Sequence, residues 1–219
     1  MKIDFDIMNG QESKYEQAYK AIKQGILSKR LEPNTLLVER RLSDALNISR
    51  TPIRQVLQQL ANEGFVEYVA NKGMFVTEFN VLDAIEIYTI REVVDPLMLE
   101  GSFTQNFETS AREMGEVVAK QSAALAKNDA KEYVKHDLEF HNVYINHCGY
   151  KRLQTFMFSM LEHIKRCAYM SDDLERARLS NGQHIEIFEA YNNKDIVKAK
   201  ELIAAHMVSV KQYYLGKIS

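Results

Sequence analysis

Apolar residues near the start of the chain follow a helical rhythm broken by a short turn. From Glu39 to Gly64 the segment ERRLSDALNISRTPIRQVLQQLANEG sets Leu42, Ala45 and Leu46 at helical spacing. It breaks at Asn47 and Ile48 and resumes with Ile53, Val56, Leu57 and Leu60. The pattern predicts helix, tight turn, helix. Ser49 or Thr51 can cap the second helix, Pro52 stands in its first turn, where a missing amide costs least, and Gly64 closes it. Upstream, Ser13 and Glu16 form a capping-box pair ahead of a stripe of Tyr15, Ala18, Tyr19, Ile22, Ile26 and Leu27. That predicts a helix ended by Leu31-Glu32-Pro33-Asn34, with an apolar run from Leu36 to Val38 leading onward. Downstream, Phe65 to Val69 and Met74 to Thr77 are β-prone on either side of Asn71-Lys72-Gly73, the pattern of a hairpin. Residues 1 to 12 carry no periodicity and read as a mobile arm.

Past Phe79 the strand signals vanish and the pattern is helical to the end. The shift marks a domain boundary near Asn80, giving domains of 1–79 and 80–219. Six helices are predicted over about 80–104, 109–127, 129–147, 150–170, 181–193 and 195–215. Asn80 caps the first, Gly149 ends the third, the polar stretch SDDLERARLSNG separates the fourth and fifth, and Asn192-Asn193 separates the last two. Pro96 falls inside the first of these helices and should kink it, which in a bundle opens room for a cavity. The fold class is therefore mainly α: an N-terminal three-helix unit with a small β-hairpin, then an all-α six-helix bundle.

The 219 residues, 46% of them hydrophobic, are enough for real cores in two domains. The net charge of -2 is no global signature of a nucleic-acid binder, so charge has to be read locally. Residues 40 to 54 hold four arginines against one aspartate, a small positive face on a nearly neutral chain. Cys148 and Cys167 follow no metal-ligand or redox spacing and read as buried thiols. No run approaches the ~20 apolar residues that span a bilayer, so no membrane partner and a cytoplasmic location are expected.

Arg50, Thr51 and Arg54 stand at the solvated start of the second helix of the helix-turn-helix pair, the end that such proteins point into the major groove. Arg40, on the preceding helix, is placed for the flanking backbone, and Lys72 beside Gly73 at the hairpin tip for a phosphate or minor groove. Scattered arginines on a solvated hairpin are the alternative. The wording LSDALNISRTPIRQVLQQLANEGFV followed by NKGMFV resembles the winged helix-turn-helix of GntR-type bacterial transcription regulators, with SRTPIR its most specific phrase. The resemblance runs from about Tyr15 to Thr77 and makes the hairpin a wing and the first domain a DNA-binding domain.

The bundle carries residues capable of holding a metal. Asp137 and His141, four apart in HDLEFH, rise from one helix face about 40° apart in projection. His184 opens the predicted fifth helix and His206 lies in the sixth. One carboxylate and three imidazoles suit zinc, nickel, iron, cobalt or manganese, though a surface hydrogen bond between Asp137 and His141 is the simpler reading of that pair. His136 and His147 point away from this face, and they and His163 are expected at the surface. Arg91 lies on an apolar stretch and needs an acidic partner, which Asp95, Asp137 or a ligand carboxylate could supply.

The pattern D-x-x-x-H, then H-I-x-I-x-x-A, then A-x-x-L-x-x-x-H is similar to the FCD effector domain of the FadR branch of the GntR family. Its six helices match the shorter, VanR-type subgroup. Many FCD members bind a metal through Asp and three His, which implies Asp137, His141, His184 and His206 here. The segment IYTIREVVDPLMLE matches a place where the family usually reads R-x-x-L-E; this chain has Val94 and Asp95 in the last two positions.

The resemblances imply a ligand-responsive transcription regulator, most often a repressor in such families, that binds a palindromic operator as a homodimer. Its helical domain is expected to hold a divalent transition metal, zinc or nickel foremost, and a small organic acid effector contacted by Arg91. A metal sensor, with the ion itself as signal, is the alternative. A metalloenzyme ranks below both, because no Ser, Cys or carboxylate adjoins the site at a spacing that nominates a nucleophile or base.

Overall fold

The computed structural model describes residues 12–170 and 173–217. The predicted N-terminal arm therefore lies, but for Glu12, outside the described residues. The chain divides into two compact units, Met1–Phe79 and Asn80–Ser219.

In the first unit, α1 (Lys14–Leu27) starts at the predicted capping box. Ser13 accepts from the Glu16 amide, and the Glu16 carboxylate accepts the Ser13 amide in return. The helix-turn-helix follows as α2 (Glu39–Leu46) and α3 (Arg50–Asn62). Asn47 makes the turn possible by taking the left-handed conformation, φ 52°, which Asn tolerates better than most residues. Ser49 occupies the cap position of α3 but makes no side-chain capping bond. Leu42, Ile48, Ile53, Val56, Leu57 and Leu60 pack with Ala18, Ile22 and Ile26 into one core. Ala45, expected on the apolar face of α2, is exposed. On so short a helix Leu42 and Leu46 already cover the side that faces α1 and α3.

The wing is β1 (Val66–Val69) antiparallel to β2 (Gly73–Val76), in the register Val66 opposite Val76. Gly73 sits at φ 110°, where a side chain would be strained. The apolar run before α2 joins this sheet: Leu36 bridges Phe75, and the Leu37 amide donates to the Met74 carbonyl at 2.8 Å. That pairing gives the unpaired edge of β2 a partner.

The second unit holds α4 (Val81–Ala126), α5 (Ala130–His147), α6 (Lys151–Met170), α7 (Leu174–Asn192) and α8 (Ile196–Leu215). Asn80 and Asp83 form a second capping box at the start of α4. The backbone of α4 leaves helical geometry at Asn106, φ -147° and ψ 40°, rather than at Pro96. Asn106 donates from Nδ2 to the His147 carbonyl at 3.0 Å, tying the break to the end of α5. Counting α4 as two helices across this break, the bundle has the six expected among the described residues.

One boundary differs by seven residues. The polar stretch expected to separate two helices is itself helical from Leu174, because Asp173 accepts from the Glu175 and Arg176 amides and caps the new turn. Ala177, Ser180, Asn181, His184 and Ile187 then form one buried stripe. Its polar members kept hydrophobic periodicity from marking it. No helix among the described residues is long and apolar enough to cross a membrane.

Candidate functional site

The bundle interior is where the sequence placed most of its unusual chemistry. Arg91 on α4 is 1% exposed and donates from Nε and Nη2 to Asp95 Oδ2, at 3.1 and 2.8 Å. Burial works against its charge, but the facing Asp95 carboxylate outweighs this and holds the guanidinium above its ordinary pKa. Of the acidic partners open to Arg91, the structure shows Asp95, one helical turn away, which gives a desolvated charge the permanent counter-charge it needs.

Asp95 Oδ2 also accepts from Tyr144 on α5 at 2.7 Å, and the Tyr144 oxygen lies 2.7 Å from His141 Nδ1. Tyr144 spends its proton on Asp95, so its oxygen can only accept from His141, and that assigns the His141 proton to Nδ1. The same logic applies to His206, where Gln183 offers Oε1 to Nδ1 at 2.8 Å. Gln121 donates from Nε2 to the His136 carbonyl at 3.1 Å and stands against His184 Nδ1 with Nε2 at 3.0 Å and Oε1 at 3.2 Å, a contact that fits either His184 tautomer. His141 and His206 therefore keep their protons on Nδ1 and leave Nε2 as an acceptor.

The three rings meet. The ligand atoms of His141, His184 and His206 lie within 4.8 Å of one another, and the Nε2 atoms of His184 and His206 are 3.1 Å apart. Two imidazole nitrogens on one divalent ion at ~2.0–2.1 Å stand roughly 2.9–3.4 Å apart in octahedral or tetrahedral geometry, so the spacing fits a shared cation. Burial keeps all three neutral, as ligation requires: His184 is pushed down to about 3, with the Arg91 charge adding to the effect, and His141 and His206 fall well below their ordinary range. The Phe140 ring stacks on His184 at 4.2 Å between centroids and restrains its tilt.

Asp137 stands at the rim of this group. Its Oδ1 is 3.9 Å from His184 Nε2 and accepts from Tyr133 at 3.2 Å, outside the mutual radius of the three histidines. Burial raises its carboxyl to about 6. A cleft opens beside it, lined by Asp137, His141 and His206 together with Tyr88, Tyr133 and Arg176 among others. Arg91 is not in the described lining.

The remaining histidines lie elsewhere. His147 pairs with Glu113 at 2.9 Å on the flank of the bundle. His136, expected at the surface, is 8% exposed, held between Glu139 at 2.7 Å and Glu132 at 3.1 Å. Its aliphatic and ring surface is covered while its nitrogens reach acidic partners at the edge.

On the first unit, Arg40, Arg50, Thr51, Arg54 and Lys72 are exposed, and Gly73 is half-buried. Arg54 is not loose: its Nε and Nη2 form a forked pair with Glu39 at 2.7 and 2.8 Å. That fork uses two of five guanidinium donors and aims the others outward from the start of α3. Arg40 lies 3.9 Å from Asp44.

The FCD domain family matches residues 86–209, more than half of the chain, and the gntR family of bacterial regulatory proteins matches residues 14–76. The chain belongs to the FCD-type GntR regulators. It is similar to the HTH-type transcriptional repressor RspR of Escherichia coli K12, 19% identical over 90% of this chain and 87% of that one. It also resembles the Nta operon transcriptional regulator of Aminobacter aminovorans, 24% identical over 83% and 85% of the two chains. Among solved structures, E. coli McbR/YncC shares the fold with a TM-score of 0.74 at 16% identity, covering 95% of this chain and all of that one. This GntR protein is thus a DNA-binding transcription regulator, and its relatives are regulators rather than enzymes.

Sequence reasoning missed the residues that orient the imidazoles of this FCD domain. Gln121, Gln183 and Tyr144 carry no motif of their own, and their one signal is a polar group recurring on an otherwise apolar helix face. Their effect is measurable. Tyr144→Phe should keep the packing while freeing His141 to change tautomer, weakening metal affinity roughly 10- to 100-fold in a competition titration. Unchanged affinity would make the Tyr144 contact incidental.

Proposed function

We propose that this regulator is a repressor that binds a palindromic operator as a homodimer in the cytoplasm. In this reading its FCD domain takes one divalent transition metal, zinc or nickel, through Asp137, His141, His184 and His206, and a small carboxylic acid as effector. The observation that carries the reading is the buried cluster of His141, His184 and His206, three neutral imidazoles from three helices whose ligand atoms lie within 4.8 Å of one another at the edge of a cleft. A bound ion would supply a Lewis-acid centre with positions open to a carboxylate oxygen.

The chain's own residues divide the work. Gln183 and Tyr144 hold His206 and His141 in the tautomer that leaves Nε2 to ligate, Gln121 positions the His184 ring, and Asp137, beside the cleft, brings the negative charge. Arg91 acts one step back, fixing Asp95 and through it Tyr144. On the reading head, Arg50, Thr51 and Arg54 address the major groove, Arg40 the flanking backbone, and Lys72 with Gly73 the neighbouring groove. Only four residues separate β2 from α4, which bears Arg91 and Asp95, so a shift of α4 on effector binding has a short covalent path to the wing. The name of RspR, a repressor, supports the sign of regulation.

The test is operator affinity measured with a panel of small carboxylic acids, on zinc-loaded and chelated protein. Acid should change the affinity of the loaded protein several-fold to a hundredfold, the range of ordinary allosteric couplings. Chelation or His206→Ala should abolish that response and leave basal DNA binding largely intact. A response to zinc alone, with acids inert, would make the metal the signal. Acid acting equally on chelated protein would return the metal to a structural role.

A further inference from the structure

Arg54 on α3 is held from the side by an acid of the preceding helix. Its Nε and Nη2 meet the two oxygens of Glu39, the first residue of α2, at 2.7 and 2.8 Å. Those hydrogen bonds keep the Glu39 carboxyl below the usual carboxylate range, so the acid is charged at neutral pH. Arg50, one turn earlier on α3, forms no salt bridge among the described residues, although its charge also acts on Glu39. An acid in the first turn of α2 favours the start of that helix, but this role needs no forked contact with a residue 15 positions away.

The fork decides which part of the guanidinium is left. Glu39 occupies the Nε–Nη2 edge, and the Nη1–Nη2 edge remains, with two parallel N–H groups pointing away from the carboxylate. Guanine O6 and N7 in the major groove accept such a pair. A phosphate accepts it as well, but brings a full negative charge beside Glu39, whereas guanine brings none. The Glu39–Arg54 pair is close to neutral as a unit, so it gains little from the general attraction of the DNA backbone.

We propose that Glu39 is a positioning residue for DNA recognition: by occupying one edge of the Arg54 guanidinium it commits the other edge to guanine and steers it off phosphate. This rests on the reading of α3 as the helix that addresses the major groove. Within that reading it makes Arg54 a discriminator of bases and leaves the Arg50 charge available to the backbone.

The test uses the full-length chain and a pool of duplexes with a randomised centre, sequencing the bound fraction and then measuring affinity for selected and unselected duplexes against salt. Wild type should select a guanine that Arg54→Ala no longer selects. Glu39→Gln should weaken that preference roughly tenfold, yet bind unselected duplex more tightly with a salt slope steeper by about one per chain, because the freed guanidinium can grip phosphate. Glu39→Asp, which keeps the carboxylate, should restore part of the preference. In an Arg54→Ala background Glu39→Gln should leave base preference unchanged, which separates positioning from simple relief of repulsion. A selected duplex with 7-deazaguanine at that position lacks the N7 acceptor and should bind the wild-type chain roughly tenfold more weakly, a readout that needs no variant to fold. Undiminished binding of that duplex overturns the proposal, as does a Glu39→Gln chain that keeps the wild-type preference or loses selected and unselected affinity in equal proportion at an unchanged salt slope. Those results leave the reading of α3 in place. A wild-type chain that selects no sequence overturns that reading, and this proposal with it.

Discussion

Protein purified without chelator should carry about one transition-metal ion per chain, and the double variant His184→Ala, His206→Ala should carry almost none. The three imidazoles come from α5, α7 and α8, so an ion held among them ties helices together that the unfolded chain leaves apart. An ion present at 100 to 1,000 times its Kd stabilises the folded state by ~2.7–4.1 kcal/mol. For a chain of this size that corresponds to a melting temperature roughly 5–15 °C above that of chelated protein. Chelation is the cleaner comparison, since truncating His184 also removes the ring stacked on Phe140 and leaves a hole. Elemental analysis decides the matter: equal metal in wild type and double variant would place the ion elsewhere.

Substituting Arg50 and Arg54 with alanine should produce the largest loss of operator binding of any change on the first unit. If each guanidinium reads a base edge, each substitution should weaken specific binding roughly ten- to a hundredfold and relax the preferred sequence. If either grips only phosphate, the loss should be uniform across sequences and the salt slope should shrink by about one. The fork between Glu39 and Arg54 sharpens the expectation for the latter, because a guanidinium held in place loses less freedom on reaching DNA. The protected operator should be palindromic with two chains bound, since a single recognition helix spans only a few base pairs. Mobility shifts in which the double alanine variant binds as tightly as wild type would remove both arginines from the interface.

Features that depend on neighbours within about one helical turn were legible from the sequence alone. The capping box at Ser13, the cap at Asn80, the turn at Asn47 and the apolar stripes of α1 and α3 are set by local hydrogen bonds and by a period of 3.6 residues. The three histidines that cluster in the bundle could be singled out too, as could the family. The start of α7 was not, because a buried stripe containing Ser180, Asn181 and His184 does not look apolar. Tertiary structure alone decided what each buried polar group touches. Nothing in the chain order announces that Gln121 meets His184 across 63 positions, that Asp95 meets Tyr144 across 49, or that Arg176 and not Arg91 faces the cleft. Those outcomes depend on helices from distant parts of the chain excluding water together. Once water is gone, each polar group must find its partner in whatever element packs against it.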